Sequence, residues 1–338
     1  MERVVDPLMK KNTSRDRSIA IAFLILLAVL AVAPFYAYPQ FVMQVLCFAL
    51  FACAFNLLIG YVGLLSFGHA LYFGWASYVC AHMIKIGTIS IPYWPGAWLV
   101  IPLPPLSPEL GILAGALTGA VLGLVAGSLA IRRQGIYFAM ITLALAQMMY
   151  FFALQAKFTG GEDGIQGVPR GKLFGLISLA DPYTMYAFVV VVFLAGFLFI
   201  YRVIHSPFGE VLKAIRENEA RAISLGYKTD RYKLVAFVLS TTLAGVAGAT
   251  KAVVMQIASI SDVVWQMSGE VVLMTLVGGL GTIFGPVIGA FVILTMQYKL
   301  AAFGEWVTVI QGVIFVACVL LFRRGIVGEI ANILRVKL

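Results

Sequence analysis

"LVGGLGTIFGPVIGA", residues 276–290, sits inside an apolar run that extends from 270 to 299. The number of membrane crossings turns on how this stretch is read. Gly278, Gly279, Gly281 and Gly285 lead into Pro286, and such a cluster does not continue a helix comfortably. Working outward, the other runs long enough to approach the roughly 20 residues of a span are 19–35, 41–59, 67–86, 111–131, 136–156, 184–202, 233–257 and 305–322. If 270–299 crossed once, nine spans would result. The basic C-terminus (Arg323, Arg324, Arg335, Lys337) would then lie opposite the basic N-terminus (Arg3, Lys10, Lys11, Arg15, Arg17). One end would violate the positive-inside rule. A reversal within Gly279–Pro286 makes ten spans and places both termini in the cytoplasm. The same parity puts Arg132, Arg133 and the 203–232 loop inside, and the loops at 87–110, 157–183 and 258–269 outside.

Composition agrees with a bilayer protein. Hydrophobic residues make up 62% of the 338 and charged ones 12%, with mean hydropathy +0.98, whereas a soluble domain carries about 25% charge. The net charge of +9 sits at the ends of apolar runs, which points to cytoplasmic loops rather than nucleic acid. The expected class is all-α and polytopic. It comprises a cytoplasmic segment 1–18, one transmembrane domain 19–322 and a cytoplasmic tail 323–338. Cys47, Cys53, Cys80 and Cys318 lie in apolar runs without a CxxC pair and read as packing thiols. The first run contains Ala31-Val32-Ala33, as a cleaved signal would, but it is long for an h-region and Pro34 follows. An uncleaved span is expected.

Several chemistries have no sequence support. There is no P-loop and no H-E-x-x-H, and His69, His82 and His205 are scattered. No nucleophile motif stands out, so no enzyme, cofactor or metal centre is expected. Glu109, Glu162, Asp163, Asp181, Asp262 and Glu305 fall in outer loops or at span ends on this topology. Glu210, Glu217, Glu219 and Asp230 lie in the 203–232 loop, Glu329 in the tail, and Glu270 begins a span. With no carboxylate at a span centre, a proton relay has little to work with. Energy for transport would come from another subunit.

The polar middle of the chain is "HSPFGEVLKAIRENEARAISLGYKTDRYK", 205–233. Ser206 and Pro207 suit an N-cap and first helical position. Phe208, Val211, Leu212, Ile215, Ala222 and Ile223 recur near the helical period, Glu217 precedes Arg221 by four, and Gly226 supplies a stop. The pattern predicts an amphipathic cytoplasmic helix over 207–226, broken near Asn218. Such a helix either lies on lipid headgroups or docks to a cytoplasmic partner, and its mixture of charge signs favours the partner.

Glu219-Ala220-Arg221-Ala222, followed by Gly226, resembles the E-A-x-A-x-x-x-G coupling loop of ABC importer permeases. "KLVAFVLSTTLAGVAGA" (233–249), "FNLLIGYVGLLSFGHALYFGWASYV" (55–79), "RRQGIYFAMITLALAQ" (132–147), "TGGEDGIQGVP" (159–169) and "SGEVVLMTLVGGLGTIFGPVIGA" (268–290) are similar to branched-chain amino acid permeases of LivM type. The resemblance covers most of the chain. It implies the importer permease fold, a bacterial inner-membrane location, a second homologous permease subunit, two ABC ATPase subunits and an extracytoplasmic substrate-binding protein. It assigns ATPase coupling to Arg216, Glu219, Ala220, Ala222 and Gly226, with Glu219 available to a basic residue of the partner and Ala222 leaving room for its approach. The substrate class it implies is branched-chain or other apolar amino acids. A urea or short-amide permease and an ion-coupled carrier are the alternatives.

Five features stand beside the resemblance. Glycines at 111, 115, 119, 123 and 127 form one bare helix face, expected to pack closely against a neighbour. In "GYVGLLSFGHA" (60–70), Gly63, Ser66 and His69 make either a tight turn or a broken-helix element lining the translocation path. Trp75 and Ser77 stand in "GWASYV" where the family more often has small residues, and Ser261 precedes Asp262 where it often has Ser-Pro. Lys251, inside the outer end of the seventh span, either snorkels outward on its stem or faces the path.

Overall fold

The computed structural model describes residues 6–86, 88–94, 97–102, 106–133, 135–304, 306–321 and 325–333. Arg3, Glu305, Arg323, Arg324, Arg335 and Lys337, which carry part of the topology reading, lie outside them. The chain begins with α1 (Asp6–Tyr36), α2 (Pro39–Tyr61) and α3 (His69–Lys85), then a hairpin of β1 (Thr88–Trp94) and β2 (Ala97–Pro102). Next come α4 (Pro108–Ala130), α5 (Ile136–Gln155), the short strands β3 (Ile165–Gln166), β4 (Lys172–Leu173) and β5 (Ile177–Ser178), and α6 (Pro182–Ile204). After α6 come α7 (Pro207–Glu217), α8 (Glu219–Ser224), α9 (Thr229–Met255) and β6 (Ile257–Ala258). The chain closes with α10 (Trp265–Gly278), α11 (Gly285–Leu300), α12 (Trp306–Leu321) and α13 (Gly325–Ile333).

This is an all-α membrane protein. Helices α1, α2, α4, α5, α6 and α9 are long and apolar enough to cross a bilayer. Helices α3, α10, α11 and α12 are shorter, 14 to 17 residues, and occupy the remaining apolar runs. The strands are confined to connections between helices.

Helices α2 and α9 form the core: 83% and 78% of their most apolar stretches are buried, against 11% for α1. A helix apolar on every face is expected inside a bundle, and α2 is one. Helix α9 gets there by smallness. A Cβ on Gly248 would lie 2.0 Å from the Phe73 carbonyl oxygen of α3, and one on Gly245 would lie 2.7 Å from that of Gly115 on α4. Gly115 and Gly119 of α4 therefore meet neighbouring backbone directly, while Gly111, Gly123 and Gly127 make room for side chains of α3 and α9, the packing expected of small residues in membranes. Cys47, Cys53 and Cys80 are free and buried.

The 276–290 stretch makes the turn that its composition demands. Helix α10 stops at Gly278, Gly279 and Gly281 take φ of +123° and +73°, and α11 starts at Gly285 with Pro286 in its first turn. The two helices run back antiparallel in direct backbone contact, since a Cβ on Gly289 would lie 1.8 Å from the Met274 carbonyl oxygen. A single span over 270–299 is excluded by this geometry.

Candidate functional site

Two clusters of polar side chains lie at opposite ends of α9. The first is built around α7 and α8. Ser206 caps α7, its Oγ accepting the Gly209 N–H at 3.4 Å. Asn218 then leaves helical geometry (φ −158°, ψ 98°), and its Oδ1 accepts the Arg221 N–H at 3.0 Å, starting α8 afresh. The break separates Glu217 from Arg221, so the expected i,i+4 pair does not form among the described residues. Gly226 ends the element at φ +88°, where a Cβ would cost about 1 kcal/mol or more.

Burial divides the residues of this element. Leu212, Ile215 and Ala222 face the bundle, and Phe208 stacks on Tyr232 with centroids 5.7 Å apart. Ile223, expected on the buried face, is instead 55% exposed, and Leu225 is 69% exposed. The redirection at Asn218 turns this last half-turn outward.

The element is seated by long-range bonds. Arg216 donates to the carbonyl of Gly60 at the end of α2, and its stem lies against Gly63, where a Cβ would be 3.2 Å from Arg216 Cγ. Asn56 of α2 donates to the Thr282 carbonyl (2.9 Å) and accepts the Gly281 N–H (3.0 Å). Lys233, at the start of α9, is ion-paired with Glu219 and has a side chain only 3% exposed. Thus α2, α7, α8, α9 and the 279–284 turn form one connected body.

Nearby, Ser66 accepts the Gly68 N–H at 3.3 Å, closing the turn that Gly63 (φ +82°) opens. His69 is fully buried, its Nε2 2.9 Å from Ser240 Oγ, which itself donates to the Ala54 carbonyl at 2.5 Å. With the serine hydrogen so used, His69 Nε2 carries the proton in that bond. Phe55, Tyr72 and Phe237 surround the ring edge-on. Gly63 and Ser66 thus shape the turn between α2 and α3, and His69 opens α3 directly after it. Lys251 does not join them, lying three turns beyond Ser240 on α9, about 16 Å away.

The second cluster is there. Lys251 Nζ lies 2.6 Å from Asp262 Oδ2, with side chains 10% and 2% exposed. Asp262 belongs to a 3₁₀ turn (Ile260–Asp262) packed beside Gly74 of α3. The connection over it is clamped: β3 pairs with β6, Val168 N–H donates to the Gln256 carbonyl (3.0 Å), Arg170 to that of Val254 (3.2 Å), and Lys85 to that of Gln166.

Residues 37–319 match the family model described as "Branched-chain amino acid transport system / permease component". The chain belongs to this family. It is 25% identical to the high-affinity branched-chain amino acid transport system permease protein LivM of Escherichia coli, over 93% of this chain and 76% of that protein. It is 26% identical to the LivM of Salmonella typhimurium, over 83% of this chain and 68% of that protein. A probable branched-chain amino acid transport permease protein LivH of Methanocaldococcus jannaschii is 29% identical over 46% of this chain and 51% of its own length. No solved structure matches.

Several residue readings made for this permease of LivM type need correction. Glu219 is not left open for a partner's cation, because Lys233 of the same chain holds it. Ala222 is buried within the chain rather than offered at its surface. Arg216 anchors α7 to α2. Lys251 does not snorkel, because a carboxylate within reach lets the ammonium stay inside. Asp262 lies in the connection between α9 and α10, and there it is buried, 2% exposed. Lys251 and Asp262, which the sequence marks on separate grounds, are each other's partner. Sequence reasoning missed Asn56 and Lys233 altogether. Their only signal was being polar residues at the ends of apolar runs.

Proposed function

We propose that this chain is one transmembrane subunit of an ATP-driven importer for branched-chain amino acids in the bacterial inner membrane. It works with a second permease subunit, two ABC ATPase subunits and an extracytoplasmic binding protein, and both termini and α7–α8 face the cytoplasm. The observation that carries this reading is the α7–α8 element. It exposes Ile223, Leu225, Ala220 and Arg221 at its tip while its root is tied to α2, α9 and the α10–α11 turn. Exposed apolar residues ringed by charge suit a protein groove. A root bonded to three transmembrane elements transmits displacement of the tip into the bundle. Nucleotide-driven closure of the ATPase subunits would push on α8 and thereby re-aim α2 and the α10–α11 hairpin.

Reconstituted with these partners in proteoliposomes, the chain should take up leucine, isoleucine and valine only when ATP is supplied. Uptake by this chain alone on a proton or sodium gradient would show a carrier instead, and displacement of leucine uptake by excess urea would favour the amide alternative.

Orientation is tested separately. Leu280, 37% exposed in the α10–α11 turn, is the labelling position, whereas Thr282 is bonded into the turn itself. Leu280→Cys in a cysteine-free chain should react with a membrane-impermeant maleimide from the cytoplasmic side only. Reaction from outside would overturn the ten-span arrangement.

A further inference from the structure

The ion pair at the far end of α9 plays no part in the α7–α8 network. Two full charges inside a membrane bundle are expensive, and stability alone does not explain them. A buried pair replaced by well-packed apolar residues is often neutral or stabilising, and an ionisable group within a span, as Lys251 is, marks a functional site by default.

The two charges are mounted differently. Lys251 stands on α9, one of the two most buried of the long helices. Asp262 stands on the connection 256–264, in its 3₁₀ turn; the connection leaves α9 at Gln256 in the left-handed region (φ +58°) and is held by the two-residue β3–β6 bridge. One pole therefore stands on a packed helix, and the other on a connection held by the β3–β6 bridge and the bond from Val168 N–H to the Gln256 carbonyl.

A third group completes the cluster. Gly74 of α3 touches the backbone of Asp262, a Cβ there lying 2.9 Å from its carbonyl carbon and oxygen. Tyr78 is one helical turn further along the same face. Its side chain is fully buried, and its hydroxyl has no hydrogen-bond partner among the described residues. A buried hydroxyl left without a partner costs about 1–3 kcal/mol, so something else is expected to bond it in another state.

We propose that Lys251, Asp262 and Tyr78 form a binding site for the charged backbone end of a zwitterionic α-amino acid, closed in this structure by Lys251 and Asp262 pairing with each other. The proposal rests on the importer reading and names the chemistry that the path selects. The entering ammonium takes Asp262, and the entering carboxylate takes Lys251 and the Tyr78 hydroxyl. A zwitterion brings one charge of each sign, so neither protein charge is left unpaired in the exchange. An uncharged amide of the same shape offers no such replacement, and separating the pair for it would strand both charges in a low-dielectric interior. The site thereby passes amino acids and holds back amides.

The experiment uses the full reconstituted importer and radiolabelled L-leucine, with isovaleramide as the uncharged analogue. Lys251→Met/Asp262→Leu removes both charges together, so no buried ion is orphaned, and the complex should still co-purify. Its leucine uptake should fall at least tenfold. Leucine uptake within threefold of the unsubstituted complex would make the pair a strut and overturn the site. Tyr78→Phe leaves the ion pair intact and serves should the double variant not assemble. KM for leucine should rise at least threefold with little change in kcat, and an unchanged KM would overturn the proposal. Isovaleramide should be carried at less than a tenth of the leucine rate by the unsubstituted complex; comparable rates would overturn it. If the unsubstituted complex takes up no branched-chain amino acid with ATP, the importer reading fails as well. Normal leucine uptake by the unsubstituted complex and by both variants sinks the site alone.

Discussion

Gly248→Leu should leave no assembled permease. Helices α3 and α9 touch through their backbones at this residue: a Cβ would stand 2.0 Å from the Phe73 carbonyl oxygen and 2.7 Å from its carbon. Neither atom belongs to a side chain that can rotate away, so two central helices must separate along their length. Separation also breaks the bond from Ser77 Oγ to the Gly248 carbonyl, 2.7 Å. Overpacking of a core costs about 1–3 kcal/mol where side chains can give, and a backbone-to-backbone crossing should exceed that. In fluorescence-detected size-exclusion chromatography the monodisperse peak should vanish. Gly269→Ala is the control, since nothing lies within 4 Å of its added Cβ. It should keep the peak and gain up to about 1 kcal/mol in helix propensity. A well-folded Gly248→Leu would mean that α3 and α9 do not cross as closely as described.

Glu219→Lys should reduce ATP-dependent uptake at least tenfold and lower the melting temperature of the complex. Glu219→Lys/Lys233→Glu should recover most of both. The Lys233 side chain is 3% exposed and that of Glu219 22%, so the single change sets a second cation against a buried ammonium. Breaking a buried pair by removing one member costs about 3–5 kcal/mol, and the partial exposure of Glu219 places this case near the lower end. Restoration by the exchange shows that Glu219 acts within the chain, fixing α8 on α9. If Glu219 instead met a cation of the ATPase, the exchanged chain would refold yet stay uncoupled. Uptake and hydrolysis measured on the same preparation separate these outcomes.

The parts legible in the sequence were those with local causes. Apolar runs longer than a helical crossing mark the membrane class, because a backbone in lipid must satisfy its own hydrogen bonds. The Gly279–Pro286 reversal could be read from glycines that tolerate positive φ and a proline that suits a helix start. The start of α7 at Ser206–Pro207, its break at Asn218 and the stop at Gly226 come from caps acting over three or four residues. Even the glycine face of α4 was visible, since i,i+4 spacing is a property of one helix. What met that face was not, and neither was any partner of a charged group. Arg216 with Gly60, Glu219 with Lys233, Asn56 with the 279–284 turn, and Lys251 with Asp262 are pairings between different elements. They depend on how far each helix is rotated about its axis and shifted along it. In a chain apolar on nearly every face, periodicity carries almost no record of that rotation. Only packing decides it, and packing determines which charges are buried in pairs and which are left at the surface for another subunit.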